Sequence, residues 1–221
     1  MTAPAPASVP PVPAVVTWPA VFDGIGALVV RCDLDPAALV AKINAKSGAG
    51  ALSWIAPKVN GADITAWPDI KHAVSVWRSL GLHVGVWVYC DGPPSLDIQA
   101  WTGSPIHPVD FVVYDVEREY KSDEGGQYQW AAALVSQHGA SKLPVAVTSY
   151  GGYKTSIDFA SFARAGWPVL CQVYDSFKPG DEWTYVDTEG GVYPSRGVHK
   201  LMRSLLLLPG EAVYRPEGID G

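Results

Sequence analysis

From Gly24 onward the chain alternates short apolar runs with stretches whose apolar residues recur at helical spacing. "ALVVRCDL" (27 to 34) is an apolar run with β-branched residues. "DPAALVAKINAKSGAG" (35 to 50) follows it, with Pro36 at a helix start and a Gly-rich end. "ALSWIAPKVNG" (51 to 61) and "DITAWPDIKHAVSVWRSLG" (63 to 81) repeat the pair, with Trp67, Ile70, Val74 and Trp77 on one helical face. "HVGVWVYCDG" (83 to 92), "DFVVYDVE" (110 to 117), "LPVAVTSYGG" (143 to 152) and "WPVLCQVYD" (167 to 175) predict four further strands, joined in part by helices near 124 to 138 and 158 to 165. "WTYVD" (183 to 187) reads as a seventh strand. "SRGVHKLMRSLLLL" (195 to 208) reads as a helix on the spacing Val198, Leu201, Met202, Leu205, and an eighth strand finds no place.

Strands apolar on both faces and alternating with helices belong to a parallel sheet covered by helices, so the class is α/β. Each strand finishes in polar or ionisable residues: Asp33, Lys58 and Asn60, Tyr89 and Asp91, Asp115 and Glu117, Ser149 and Tyr150, Tyr174 and Asp175. Barrel enzymes keep their chemistry at strand carboxyl ends. A doubly wound sheet would carry a Gly-rich phosphate turn after its first strand, and none is present. The expectation is therefore a (β/α) TIM-type barrel over residues 25 to 221. This span is shorter than the about 250 residues of eight full units, so the last units must be abbreviated.

Composition changes the picture in two ways. With 48% hydrophobic and 17% charged residues the chain can bury a full core, while a net charge of -6 without clustered Lys and Arg argues against nucleic acid as a partner. No apolar stretch reaches membrane-spanning length, since "LMRSLLLLPG" is interrupted by Arg203 and ended by Pro209, so no membrane partner is expected. Residues 1 to 24 form a separate segment, with six prolines between positions 4 and 19. Such a segment favours an extended leader or an arm that docks on a larger assembly. It lacks the basic and apolar regions of a signal peptide.

Chemistry concentrates in "DFVVYDVE". Alternation along a strand puts Asp115 and Glu117 on the side of Val113, with Tyr114 and Val116 on the other. Two carboxyls in one concave site repel one another, and the expectation is that one is raised to a proton donor while the other stays ionised. That is the division of labour of glycoside cleavage. Trp87, Tyr89, Tyr150, Tyr153 and Tyr174 offer aromatic faces near the strand ends for sugar rings, whereas Trp54, Trp67, Trp77 and Trp130 read as core. Cys32, Cys90 and Cys171 are odd in number and come without C-x-x-C or H-x-H spacing, so neither a metal nor a cofactor is expected. The histidines are scattered, and no G-x-S-x-G elbow starts a serine triad.

The succession "WIAPKVNG", "GLHVGVWVYC", "FVVYDVE", "LPVAVTSYGGY" and "WPVLCQVYD" resembles the strand motifs of glycoside hydrolase family 25 lysozymes. Those are short, irregular barrels that cut peptidoglycan glycan strands. A second similarity is to family 18 chitinases, whose D-G-x-D-x-D-x-E pattern is met at Asp110, Asp115 and Glu117, with Phe111 and Val113 departing from it. Their M-x-Y-D resembles "QVYD", with Gln172 in place of Met. The resemblance covers residues 27 to 175 and implies a substrate-assisted route in which the sugar's own acetamido oxygen attacks the anomeric carbon. It implies Glu117 as general acid and base, Asp115 as the group that orients the acetamido, and Tyr174 as a hydrogen-bond partner of its carbonyl. Asp33 stands where family 25 members carry a first-strand Asp, while Asp175, Gln172, Asp91, Tyr89, Trp87 and Tyr150 complete the expected substrate-binding set. The implied function is cleavage of an N-acetylhexosamine polysaccharide, foremost peptidoglycan, by a phage lysin or a wall-contacting tail protein carried in the virion or made in the host cytoplasm. The rival is a catalytically silent glycan-binding or structural protein.

Overall fold

The computed structural model describes residues 19–22, 25–29, 35–47, 52–60, 69–121, 127, 129–139, 141–150, 157–173, 198–206 and 212–218. The strands are β1 (Ile25–Val29), β2 (Leu52–Pro57), β3 (His83–Val84), β4 (Val86–Tyr89), β5 (Val112–Asp115), β6 (Val145–Tyr150), β7 (Val169–Val173), β8 (Val198–Leu206) and β9 (Ala212–Gly218). The helices are α1 (Pro36–Ser47), α2 (Ile70–Ser79), α3 (Pro94–Thr102), α4 (Trp130–His138) and α5 (Phe159–Arg164). Asp69 caps α2 by accepting the His72 N–H at 3.0 Å, and Asp158 caps α5 by accepting the Ser161 N–H at 3.1 Å.

This topology corrects the expected closed (β/α) barrel. The strands run in the order β3-β2-β1-β9-β8-β7-β6-β5-β4, and β9 is antiparallel to both β1 and β8. Parallel pairing is thus confined to two sets on either side of β9, β1 to β3 and β4 to β8. The strands at the two ends of the order share no ladder among the described residues. There β2 and β4 meet at a bridge between Lys58 and Trp87, beside hydrogen bonds from Gly85 N–H to the Ile55 carbonyl and from Val59 N–H to the Trp87 carbonyl. The helix expected over 195 to 208 is also corrected: Val198–Leu206 is β8, paired with β7 and β9. A short apolar run satisfies helical and strand spacing alike, and here ladder partners on both sides decide the outcome. Asp33, Trp67, Tyr153, Tyr174, Asp175 and the "WTYVD" strand lie outside the described residues.

The two sheet faces bury different sets. Toward the helices lie Val29, Ile55, Val86, Val112, Tyr114 and Val147, packed with Leu39 and Ile43 of α1, Trp77 of α2, Leu134 of α4 and Phe162 of α5. The other face buries Leu28, Trp54, Ala56, Trp87, Phe111, Val113, Ala146 and Leu170, together with Phe22 from the 3-10 turn Ala20–Phe22. Trp77 and Trp54 are both fully buried, and half-buried Trp130 packs against the helix-side core.

His138 sits inside the helix-side core. Its Nδ1 is 2.9 Å from the Tyr114 hydroxyl, its Nε2 is 2.7 Å from Ser141 Oγ, and the Trp167 ring meets it edge-on. Burial lowers its pKa below the ordinary 6.5, because the charged form is the one desolvation penalises. The folded state therefore favours neutral His138. Its contribution to stability is complete above about pH 6.5 and is lost as pH falls toward the lowered folded value. A proton NMR titration of the His138 ring should give a midpoint below 6.5, and a midpoint at or above that value would contradict the assignment.

Candidate functional site

The site is built at the carboxyl ends of β2, β4 and β5 on the face opposite the helices. Alternation does the placing: Val112, Tyr114 and Val116 point to the helices, Phe111 and Val113 point away, and Asp115 continues the second series. Parallel register then sets Tyr89 beside Asp115 and Asp115 beside Thr148, so the ends of β4 and β5 are level, with β6 running two residues further. The Cys90 N–H donates to the Asp115 carbonyl at 2.9 Å, and the Val116 N–H donates to the Thr148 carbonyl at 2.9 Å. Asp115 is 4% exposed. Glu117 is half-buried and opens the 3-10 turn Arg118–Tyr120.

Electrostatics bring the acids together. The Tyr89 hydroxyl donates to Glu119 Oε2 at 3.3 Å. Burial pushes the Tyr89 phenol well above its ordinary value, and the negative charges of Glu119, Asp115 and Glu117, in that order, add to the rise. Three carboxyls therefore act on one phenol, which stays protonated at physiological pH and remains a hydrogen-bond donor. Lys58, buried at the end of β2, sets its ammonium 5.0 Å from the Trp87 ring centroid and 4.8 Å from that of Tyr89. The Lys58 ammonium thus stands over the ring whose phenol feels the three carboxyls.

Asn60 supports this edge. Its Nδ2 donates to the Tyr89 carbonyl at 2.6 Å and its Oδ1 accepts the Tyr89 N–H at 2.7 Å, so one side chain satisfies both backbone groups of Tyr89. Asn60→Ala should cost about 1–3 kcal/mol by leaving them unpaired. Urea unfolding checks this, and an unchanged midpoint would show that water replaces the amide without loss.

Of the residues expected from the sequence, Tyr89 and Asp115 are register partners at the ends of β4 and β5, and Glu117 opens the turn that follows β5. Trp87 is 3% exposed, so its ring belongs to the inner core and lies under Lys58. Asp91 is exposed in the loop after β4. Tyr150 and Gln172 are paired across β6 and β7. Asp110, the first acid of the partial chitinase pattern, serves the backbone: its Oδ2 accepts the Val84 N–H at 2.7 Å. The sequence reading missed Glu119 as a site residue, although "DVERE" continues the i, i+2 spacing of Asp115 and Glu117. It also passed over Lys58 and Asn60, which it noted only as polar strand ends, and Cys90 is a buried free thiol.

No family model and no curated protein matches the chain. Among solved structures the chain is similar to a family 25 glycosyl hydrolase from Bacillus anthracis, with a TM-score of 0.59 and 9% identity over 89% of this chain and 89% of that one. At that identity the likeness is one of fold.

Proposed function

We propose that the chain is a glycoside hydrolase acting on an N-acetylhexosamine glycan, foremost peptidoglycan, with Glu117 as the proton carrier. The observation that carries this reading is the negative field of Glu119, Asp115 and Glu117 at the Tyr89 phenol, whose hydroxyl donates to Glu119, beside the level ends of β4 and β5. Its support is a fold similar to that of a family 25 glycosyl hydrolase. Glu117 gives its proton to the glycosidic oxygen as the bond to the anomeric carbon breaks. The substrate's acetamido oxygen attacks that carbon, so the nucleophile comes from the sugar. Asp115 orients the acetamido N–H and steadies the positive charge on the cyclic intermediate. Glu117, now a carboxylate, takes a proton from the water that opens it. Two acids two residues apart, one at the end of β5 and one at the start of the next turn, suit this route, because neither has to reach the opposite side of the sugar ring.

Tyr174 as the partner of the acetamido carbonyl, and Asp33, Asp175 and Gln172 as subsite residues, rest on sequence resemblance alone. Action at the bacterial wall as part of a phage lytic or tail apparatus belongs to the same proposal. The test is incubation of the full chain with purified cell walls and, separately, with chitin oligomers, reading new reducing ends. Release from walls is expected. Binding to walls with no release from either substrate would leave the silent glycan-binding rival in possession.

A further inference from the structure

Behind the acidic strand ends lies a second group of titratable side chains that the proposed reaction does not use. Asp97, on α3, is 1% exposed. Its Oδ2 accepts the Tyr120 hydroxyl at 2.6 Å, and the Cys90 thiol is a second hydrogen-bonding neighbour of the carboxyl. Tyr120 is fully buried, meets Trp130 edge-on at 5.7 Å, and ends the 3-10 turn that Glu117 opens. Its N–H donates to the Glu117 carbonyl at 3.1 Å. Cys90, also fully buried, faces the same Asp97 carboxyl and donates its N–H to the Asp115 carbonyl. Tyr120 and Cys90 thus tie this buried group, through backbone, to both proposed catalytic acids.

Apolar side chains of the same volume would fill this contact at lower free-energy cost than a buried carboxyl. We infer that Asp97 is a positioning residue: by anchoring the Tyr120 hydroxyl it fixes the Arg118–Tyr120 turn, and with it the direction from which Glu117 and Glu119 enter the site. Only the kinetic consequence rests on the glycosidase reading. The ionisable groups facing Asp97 are Tyr120 and Glu119 on the turn, Cys90 and Asp91 after β4, and Tyr114 on β5. Burial pushes the Asp97 carboxyl up to about 7; Tyr120 and Cys90 hold it down, and the charges of Asp91 and Glu119 add to the rise. The anchor consequently changes charge near neutrality, next to Glu119.

The experiment compares wild type with Tyr120→Phe, Asp97→Leu and Asp97→Asn in the full chain. It reads the carbon NMR titration of the Glu117 carboxyl, then kcat and KM on cell walls. Tyr120→Phe and Asp97→Leu should shift the Glu117 titration and lower kcat by about ten- to a hundred-fold, with KM unchanged. Asp97→Asn keeps an acceptor for Tyr120 and should leave kcat and the Glu117 titration near their wild-type values. Folded Tyr120→Phe or Asp97→Leu protein with wild-type titrations would overturn the inference. Should both fail to fold, an Asp97→Asn variant that loses kcat about ten-fold or more overturns it equally. A wild type that cleaves no glycan sinks the glycosidase reading but leaves the carboxyl titrations to decide the positioning role.

Discussion

Glu117→Gln is expected to lower release of reducing ends from cell walls by about a hundred- to ten-thousand-fold, the range for loss of a positioned general acid. The substitution is nearly isosteric, so the loss should be read on folded protein, which urea unfolding of the variant checks. Wall binding should survive. The roles also predict a contrast that activity loss alone does not. A glycoside whose leaving group needs no proton should still be cleaved at its first step by Glu117→Gln, because the acetamido attack remains. Asp115→Asn should impair both substrates, since orientation of the acetamido precedes either departure. Equal loss on both substrates in both variants would contradict the division of labour.

Trp54→Ala should cost about 3–5 kcal/mol, the largest stability effect expected of a single change in the described core. Trp54 is fully buried in an edge-to-face trio with Phe22 and Phe111: the ring centroids stand 5.6 Å apart for Phe22 and Trp54, 5.0 Å for Phe22 and Phe111, and 5.3 Å for Trp54 and Phe111. Glycine makes room for it. A Cβ on Gly26 would lie 1.8 Å from Trp54 Cε2, and one on Gly85 would lie 2.3 Å from Phe111 Cε2. Gly26→Ala therefore overpacks the trio and should cost about 1–3 kcal/mol by itself. In the double variant the smaller side chain at 54 vacates the space the new methyl needs, so the combined loss should be smaller than the two single losses added. Urea midpoints of the four proteins check this, and strict additivity would show that the ring and the glycine do not compete for the same volume.

Much of the strand and helix pattern was legible because buried parallel strands are written as continuous apolar runs. "DFVVYDVE" became Val112–Asp115, "LPVAVTSYGG" became Val145–Tyr150, and "WPVLCQVYD" became Val169–Val173. The helix α3 was missed, although Pro94 at its first position is a start signal, because its apolar residues are few and its Asp97 reads as a surface acid. Closure and direction were not legible at all. Nothing in "AVYRPEG" announces a strand antiparallel to both its neighbours, and the sense of β9 comes from pairing rather than from local preference. The same holds for the site. Alternation within one strand was the reason to expect Asp115 and Glu117 on one side, but β5 ends at Asp115 and Glu117 opens the following turn, while Glu119, Lys58 and Asp97 come from that turn, the end of β2 and a helix.

The most direct measurement is a crystal structure of the Glu117→Gln protein with a bound N-acetylated glycan oligomer. The glycosidic oxygen is expected within about 2.6–3.2 Å of the residue 117 amide, with the acetamido group against Asp115. An oligomer seated away from these strand ends, or one whose acetamido points away from Asp115, would contradict this placement.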